Sequence, residues 1–329
     1  MILNYINNYI MRFSFRTEMK VKLLKFDREQ HVFEIGSGVM VGGQPGEYPT
    51  VLIGSIFYSG HKIVKNHLKG EFDKDEAETL IQRTEELSDK VGNPHVLDVV
   101  SSNAEALIKY IDFIADVTDQ PFLIDGPSPS VRIPAARHVA EVGLMDRAVY
   151  NSIDEHTGVD EVKALREIGV KSSMLLAFSM KKVWPEGRID VLKGYEGGEG
   201  LVELAHQAGI TNILVDTAVL DLASVGLAAK AVYLVKSELG LPAGCGPCNA
   251  STTWAKGKEK YGEVAYQACD SAVDAVIQLN GGDFVLYGPI REAERAFPVC
   301  ALIDALIAYT NKRYGVIPKV KNHPIYKVW

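Results

Sequence analysis

Eight short apolar runs, each followed by a longer segment with helical periodicity, organise most of this 329-residue sequence. The runs occupy residues 51–57, 95–101, 121–126, 147–153, 172–179, 211–217, 241–246 and 283–288. Strands that alternate with helices are parallel and covered on both faces, which explains why each run is apolar throughout. Eight such units predict an α/β protein with a (β/α)8 barrel rather than an open doubly wound sheet.

The remaining segments complete the expected organisation. HVFEIGSGVMVGG, at 31–43, predicts a β-hairpin ahead of the first barrel strand, and Asp73 is the expected N-cap of the helix that follows this strand. No linker or low-complexity tract divides residues 26–329, which predicts a single barrel domain. Residues 1–25 are predicted to be an N-terminal extension, and we assign them no function.

Charge and composition limit the possible partners. The net charge is −7 and lysines and arginines form no block, so nucleic acid is not an expected partner. No apolar run approaches the roughly 20 residues of a membrane helix, so the chain is not expected to span a membrane. Four cysteines are too few for a disulfide scaffold and predict a reducing, cytoplasmic location. No tightly bound metal is expected.

Polar residues stand where five of the predicted strands end, at the end of the barrel that carries active sites. They are Asp98, Asp125, Asn151, Asp216 and Asn249. Any one of them could be the N-cap of the next helix. Five together favour a binding site for a flat heterocycle with several N–H donors and a lactam, since carboxylates accept hydrogen bonds and amides both donate and accept them.

Two other motifs have simpler interpretations. Cys245-Gly-Pro-Cys248 has the letters of a dithiol redox motif but follows a seventh strand, and no second cysteine pair completes a zinc site. We therefore interpret both thiols as packing residues. His156, in DEHTG, falls one residue short of a cobalamin-binding signature, so a corrinoid would have to arrive on another protein. His61 is expected either to line the mouth or to lie on the surface.

Longer segments at 41–64, 110–126, 141–153, 281–290 and 323–329 resemble the MtrH family, one of the subunit families of tetrahydromethanopterin S-methyltransferase. The resemblance runs from about Phe26 to the C-terminus. This family is similar to the methyltetrahydrofolate:corrinoid methyltransferases, which are pterin-binding barrels and usually homodimers. The resemblance implies that Asp125, Asn151, Asp216 and Asn249 surround the pterin. It also places Asp98 in the pocket, and gives Asn249 and Asp125 catalytic roles.

Two features depart from the family pattern. Ser179 or Met180 stands where soluble relatives carry an asparagine after strand five, and the segment GCGPCNASTTW differs from the MtrH pattern before Trp254. These departures suggest a stand-alone soluble member at least as much as a component of the membrane complex.

The resemblance implies methyl transfer between N5 of a tetrahydropterin and the cobalt of a corrinoid carried by a partner protein. The pterin is tetrahydromethanopterin or tetrahydrofolate, and the pathway is methanogenesis or demethylation of methoxy or methylated compounds. Other methyltransferase subunits are possible partners, and the direction of transfer is open. One alternative is an enzyme similar to dihydropteroate synthase, which predicts lysine at the place of Asn249. Another is a non-catalytic subunit, which predicts loss of the polar set.

Overall fold

The computed structural model describes residues 24–36, 38–254 and 256–329. Eight of its strands are parallel and close into a barrel, in the order of the chain, which confirms the predicted fold class and all eight predicted strands. The strands are β1 (Val32–Ile35), β2 (Val39–Gly42), β3 (Val51–Ile56), β4 (Val64–Asn66), β5 (Glu71–Phe72), β6 (His95–Val100), β7 (Phe122–Asp125), β8 (Ala148–Ile153), β9 (Ser172–Leu176), β10 (Asn212–Asp216), β11 (Ala243–Cys245) and β12 (Phe284–Pro289). The barrel consists of β3 and β6–β12.

Helices follow the barrel strands and cover the outside of the sheet. They are α1 (Lys74–Val91), α2 (Ala104–Val117), α3 (Pro129–Glu141), α4 (Val159–Ile168), α5 (Pro185–Lys193), α6 (Leu201–Gln207), α7 (Ser224–Glu238), α8 (Cys248–Thr253), α9 (Gly257–Tyr261), α10 (Glu263–Leu279) and α11 (Ala293–Asn311). Asp73 caps α1 as predicted, because its side chain accepts a hydrogen bond from the Glu76 N–H.

The predicted hairpin forms from β1 and β2 and closes the amino end of the barrel. The Gly36 N–H donates to the Asp146 carbonyl at 2.8 Å, and the Asn212 side-chain amide donates to the Glu34 carbonyl at 3.2 Å. Asp146 and Asn212 both lie where barrel strands begin. Because the hairpin covers the amino end of the barrel, a site can form only at the opposite end, where the strands end.

The barrel wall separates the two largest hydrophobic clusters of the described residues. The larger one lies between the sheet and the helices. The smaller one fills the barrel and includes one inward-facing residue from most strands together with three hairpin residues. Its members are Ile35, Val39, Val41, Val51, Ile53, Val96, Leu123, Val149, Met174, Leu214 and Phe284. This apolar filling ends below the mouth, so the next inward-facing position on each strand lines the floor of the site.

The predicted extension, residues 1–25, lies outside the described residues apart from Leu24 and Lys25. The Asn311 side-chain amide donates to the Leu24 carbonyl at 2.7 Å, and the Lys25 ammonium donates to the Tyr314 carbonyl at 2.6 Å. In the described part of the chain, no helix is long and apolar enough to cross a membrane. The same residues contain no cluster of three or more metal-ligating side chains.

Candidate active site

Strand alternation brings four of the five predicted site residues together at the mouth. Asp98, Asp125, Asn151 and Asp216 each stand two positions after an inward-facing residue of the barrel core. Side chains two apart on a strand point to the same face. The pairing of β7 with β8 sets Asp125 beside Asn151. The four side chains therefore form one polar layer directly above the apolar filling of the barrel.

Asp98 has one satisfied and one free carboxylate oxygen. The Ser55 hydroxyl donates to Oδ2 of Asp98 at 2.6 Å, whereas Oδ1 is buried and has no hydrogen-bond partner among the described residues. Sequence reasoning missed Ser55, although it stands two positions after the inward-facing Ile53, which is the signal shared by the other floor residues. Because a buried acceptor without a donor is costly, Oδ1 suits an N–H group brought by a ligand.

Burial and mutual repulsion perturb the carboxylates at the floor. Burial raises the pKa of Asp98, and burial together with the charge of Asp98 raises the pKa of Asp125 well above its usual value. The positive charge of Arg132 opposes this rise in the pKa of Asp125. The carboxyl group of Asp125 is therefore difficult to ionise while the site is empty.

Asp216 lies at the end of β10 and is held by the loop that follows it. Its Oδ1 accepts a hydrogen bond from the Ala218 N–H at 2.8 Å. Burial raises the pKa of Asp216 to about 6, and the charge of Asp98 contributes to the rise. Asp216 therefore changes its protonation state just below neutral pH, at the point where a ligand would enter.

A buried network behind the floor fixes the ends of β7 and β8. The Arg132 guanidinium, on α3, donates to the Gly126 carbonyl at 2.7 Å, one residue after Asp125, and to the Glu161 carboxylate at 3.0 Å. The Tyr150 hydroxyl, one residue before Asn151, donates to the same carboxylate. Arg132 and Glu161 thus act as positioning residues for Asp125 and Asn151.

Asn249 lies at the rim of the mouth rather than in its floor. It is exposed in the first turn of α8, immediately after β11. Its side-chain amide donates to the Val219 carbonyl at 3.2 Å, in the loop that also carries Asp216. The structure therefore places Asn249 beside the loop after β10, outside the polar layer at the floor.

The short helix α8 is braced from behind by charged residues that sequence reasoning did not single out. The Ser251 hydroxyl donates to Asp270, which also pairs with Arg295. The Tyr266 hydroxyl donates to the Ser251 carbonyl at 2.8 Å. Asp274 lies 3.6 Å from Arg295, and burial raises its pKa to about 8. This brace limits how far the first turn of α8, and with it Asn249, can move.

Cys245 and Cys248, at the end of β11 and the start of α8, lie in surroundings that suppress the formation of a thiolate. Both are free thiols, and Cys245 is fully buried. Burial raises the pKa of Cys248 to about 12 and that of Cys245 well above its usual value. Because the thiolate is the reactive form, these shifts support the interpretation of both as packing residues.

The remaining candidates occupy the loops around the mouth. Ser179 is buried and accepts a hydrogen bond from the Lys181 N–H, whereas Met180 is exposed. His61 is buried rather than on the surface, and its Nδ1 accepts a hydrogen bond from the Phe57 N–H at 3.1 Å. His156 is exposed in the loop between β8 and α4. Of the two residues at the family's asparagine position after β9, Ser179 is therefore inside the protein and Met180 at its surface.

The chain belongs to the class of (β/α)8 barrels, and carboxylates line the mouth of its barrel. The same fold occurs in dihydropteroate synthase of Yersinia pestis, solved with a pterine–sulfa conjugate, with a TM-score of 0.58 over 84% of this chain and 99% of that one. The Coxiella burnetii dihydropteroate synthase, in complex with pteroic acid, gives 0.57 over 78% and 94%. Identities of 12% and 14% show a shared fold alone.

Within this class the chain belongs to the tetrahydromethanopterin S-methyltransferase MtrH subunit family, which matches residues 28–319. The MtrH protein of Methanothermobacter thermautotrophicus is 42% identical over 93% of this chain and the whole of that protein. A Methanosarcina mazei protein, provisionally named as the corresponding component of an Mtx methyltransferase, is 43% identical over 92% of this chain and 99% of its own length. The resemblance is thus confirmed, and the chain is a methyltransferase.

Proposed function

We propose that this protein transfers a methyl group between N5 of a tetrahydropterin and the cobalt of a corrinoid carried by a partner protein. The observation that carries the proposal is the floor of buried carboxylates, with Oδ1 of Asp98 free to accept a hydrogen bond. A pterin ring presents an amino group and ring N–H groups on one edge. These donors match the floor acceptors in chemistry.

We assign the floor residues to binding and the rim residue to the reaction. Asp98, Asp125, Asn151 and Asp216 would hold the pyrimidine edge of the pterin, and Asn249 would hydrogen-bond N5 at the opposite edge. The methyl group leaves without its bonding electrons, so N5 keeps that pair and must gain a proton from solvent, before or during transfer, for the pterin to leave as a neutral amine. A donor fixed in advance stabilises that change without reorganising in the transition state.

The corrinoid would supply the cobalt centre that accepts or gives the methyl group. Support for a protein carrier comes from large apolar side chains exposed on the loops around the mouth, where a partner could cover them. They are Met180, Trp184, Leu220 and Val264, each exposed by 49–82%. Isolated exposed apolar residues are ordinary on a surface, but these four all lie in segments that follow the barrel strands β9, β10 and β11.

A homodimer is our proposal for the assembly. Leu302, Leu306 and Tyr309 are exposed on one face of α11, with Leu279 exposed on the adjacent α10. Such an apolar face is typical of contacts between identical protein chains.

All four cysteines are free, which fits the proposed cytoplasmic location. The equal similarity to Mtr and Mtx relatives supports both a component of a larger complex and a stand-alone enzyme.

The fold similarity to dihydropteroate synthase does not favour the alternative function. That function predicts a lysine at the place where this chain has Asn249. A non-catalytic role is also disfavoured, because it gives no reason to keep several buried carboxylates that resist ionisation. Methyl transfer is the function that accounts for both the floor and the rim.

The proposal is tested by incubating the purified chain with free cob(I)alamin and either methyl-tetrahydromethanopterin or methyl-tetrahydrofolate. We expect loss of the Co(I) absorbance with the methanopterin donor, and the folate arm tests the choice of pterin. Light scattering on the same preparation should give the mass of two chains. Absence of transfer from both donors, together with no pterin binding by calorimetry, would refute the proposed function. A single-chain mass would refute only the homodimer.

Pterin affinity should depend on pH through Asp216. The carboxylate is the better acceptor, and it is lost as the pH falls through about 6, the raised pKa of this group. Affinity should therefore weaken by about tenfold between pH 7 and pH 5 in the wild-type protein. Asp216→Asn should bind more weakly at pH 7 but lack this step. Calorimetric titrations of both proteins across the range give the comparison, and parallel pH profiles would contradict the assignment.

A further inference from the structure

The connection between β3 and α1 concentrates positive charge at the mouth. Residues 61–69, HKIVKNHLK, contain three lysines and two histidines and no acidic residue, in a chain whose net charge is −7. Because β3 runs towards the mouth and α1 starts there, the whole connection, 57–73, lies on that side of the barrel. The floor residue Ser55 precedes it by only two positions.

Aromatic packing holds this connection in place. The ring of Phe57 stacks on that of Tyr110 at 4.2 Å between centroids, and Phe72 meets Phe57 at 4.7 Å and Phe113 at 4.9 Å. The antiparallel strands β4 and β5 form between these anchors. At its tip, the Lys69 carbonyl accepts a hydrogen bond from Lys109 on α2 at 2.8 Å. The lysines are thus displayed on a built element rather than on a loose loop.

Two of the three lysines are available to a ligand. Lys62 and Lys69 are exposed, and neither has an ion-pair partner in the described part of the chain. Lys65 is partly neutralised by Asp73, at 3.2 Å. Arg291, which donates to the Tyr58 hydroxyl at 3.0 Å, also lies beside the connection but is partly neutralised by Glu292, at 3.3 Å.

The far side of the mouth has the opposite charge. The loops after β8, α5 and β10 carry five carboxylates and no lysine, against two lysines, Lys181 and Lys182, in the loop after β9. These carboxylates are Asp154, Glu155, Glu196, Glu199 and Asp221. An anion that extends from the floor is therefore repelled on that side and attracted towards the connection after β3.

From this asymmetry we infer that Lys62 and Lys69 form a subsite for the anionic tail of the pterin substrate. The inference rests on the proposed function, because it concerns the part of the same ligand that the floor does not hold. Both candidate pterins carry acidic groups at the end of a long flexible tail, carboxylates in folate and carboxylates with phosphate in methanopterin. The subsite would bind the anionic groups of the tail, while the floor would bind the pterin ring.

The test compares the double variant Lys62→Gln/Lys69→Gln with the control Lys163→Gln/Lys230→Gln, which removes equal charge from exposed positions on α4 and α7. Each is assayed with methylcobalamin as methyl donor and with tetrahydromethanopterin or the tail-free 6-methyltetrahydropterin as acceptor. Exposed ion pairs are individually weak, so KM for the tailed pterin should rise by about 3- to 10-fold in the double variant only. KM for the tail-free pterin should not change.

Salt provides the second measurement. Raising the ionic strength should increase the wild-type KM for the tailed pterin and have less effect on the double variant, because screening removes the same attraction. An unchanged KM in the double variant, or an equal rise with the tail-free pterin, would overturn the subsite while leaving the methyltransferase assignment standing. If the wild-type protein used neither pterin, the proposed function would fail, and the subsite with it.

Discussion

Replacing Asn249 with alanine is expected to lower the rate of methyl transfer at saturating pterin by about 10²-fold or more. A single donor fixed in advance near a reacting atom commonly contributes this much, and it does so mainly in the transition state. The Asn249 amide is fixed by its bond to the Val219 carbonyl and by the bracing of α8 through Ser251 and Asp270. Single-turnover decay of the Co(I) absorbance of cob(I)alamin measures the rate directly.

Two further variants separate catalysis from binding and from damage to α8. Asp125→Asn should mainly weaken pterin binding, by about 0.5–1.5 kcal/mol for a hydrogen bond of a carboxyl that tends to keep its proton, because its contact exists before and during transfer. Thr252→Ala removes an exposed hydroxyl from the same short helix and should leave the rate unchanged. A wild-type rate for Asn249→Ala at saturation would show that Asn249 serves binding or capping alone.

The barrel could be predicted because its strands are buried on both faces. Runs such as 172–179 and 283–288 are apolar throughout because both faces of the strand are buried. One face packs against helices and the other against the apolar side chains inside the barrel. The hairpin could be predicted from its own residues. Its role as the plug of the barrel could not, because that depends on contacts with Asp146 and Asn212, more than 100 positions away.

The floor of the site could be predicted in part, since polar residues at strand ends stand out against apolar runs. Ser55 does not stand out, because a serine within VLIGSIF has no distinctive chemistry until its alternation with Ile53 is considered. The family resemblance placed Asn249 near the reacting edge of the pterin. The structure adds that it belongs to a helix and to the rim, which a short segment after a strand does not reveal.

The supporting charges could not be predicted at all. Arg132, Glu161 and Tyr150 come from two helices and a strand, and each residue alone is compatible with an ordinary surface or core position. The same holds for Asp270 and Arg295 behind α8. These hydrogen bonds and ion pairs form only when the barrel closes, so the periodicity of the sequence does not predict them.

Lys236→Met is expected to destabilise the fold by about 3–5 kcal/mol, the usual cost of leaving one member of a buried ion pair without its partner. The Lys236 ammonium is fully buried and donates to both carboxylate oxygens of Asp283, at 2.7 and 2.8 Å, and to the Gly43 carbonyl at 2.9 Å. It thereby ties α7 to the start of β12 and to the end of the hairpin. Guanidinium unfolding of wild type and variant measures the loss.

A second substitution at Asp283 distinguishes the loss of this ion pair from the loss of packing. Asp283 also accepts the Ala243 N–H at 2.9 Å, so Asp283→Asn keeps an acceptor there while removing the charge. Adding it to Lys236→Met should restore part of the stability, because no unpaired buried charge remains. The exposed pair of Lys193 and Glu238, 2.7 Å apart, is the control, and Lys193→Met should cost less than about 1 kcal/mol. Equal losses of unfolding free energy for Lys236→Met and Lys193→Met would contradict a structural role for the buried pair. If the double variant recovered no stability, the loss would be due to packing around α7.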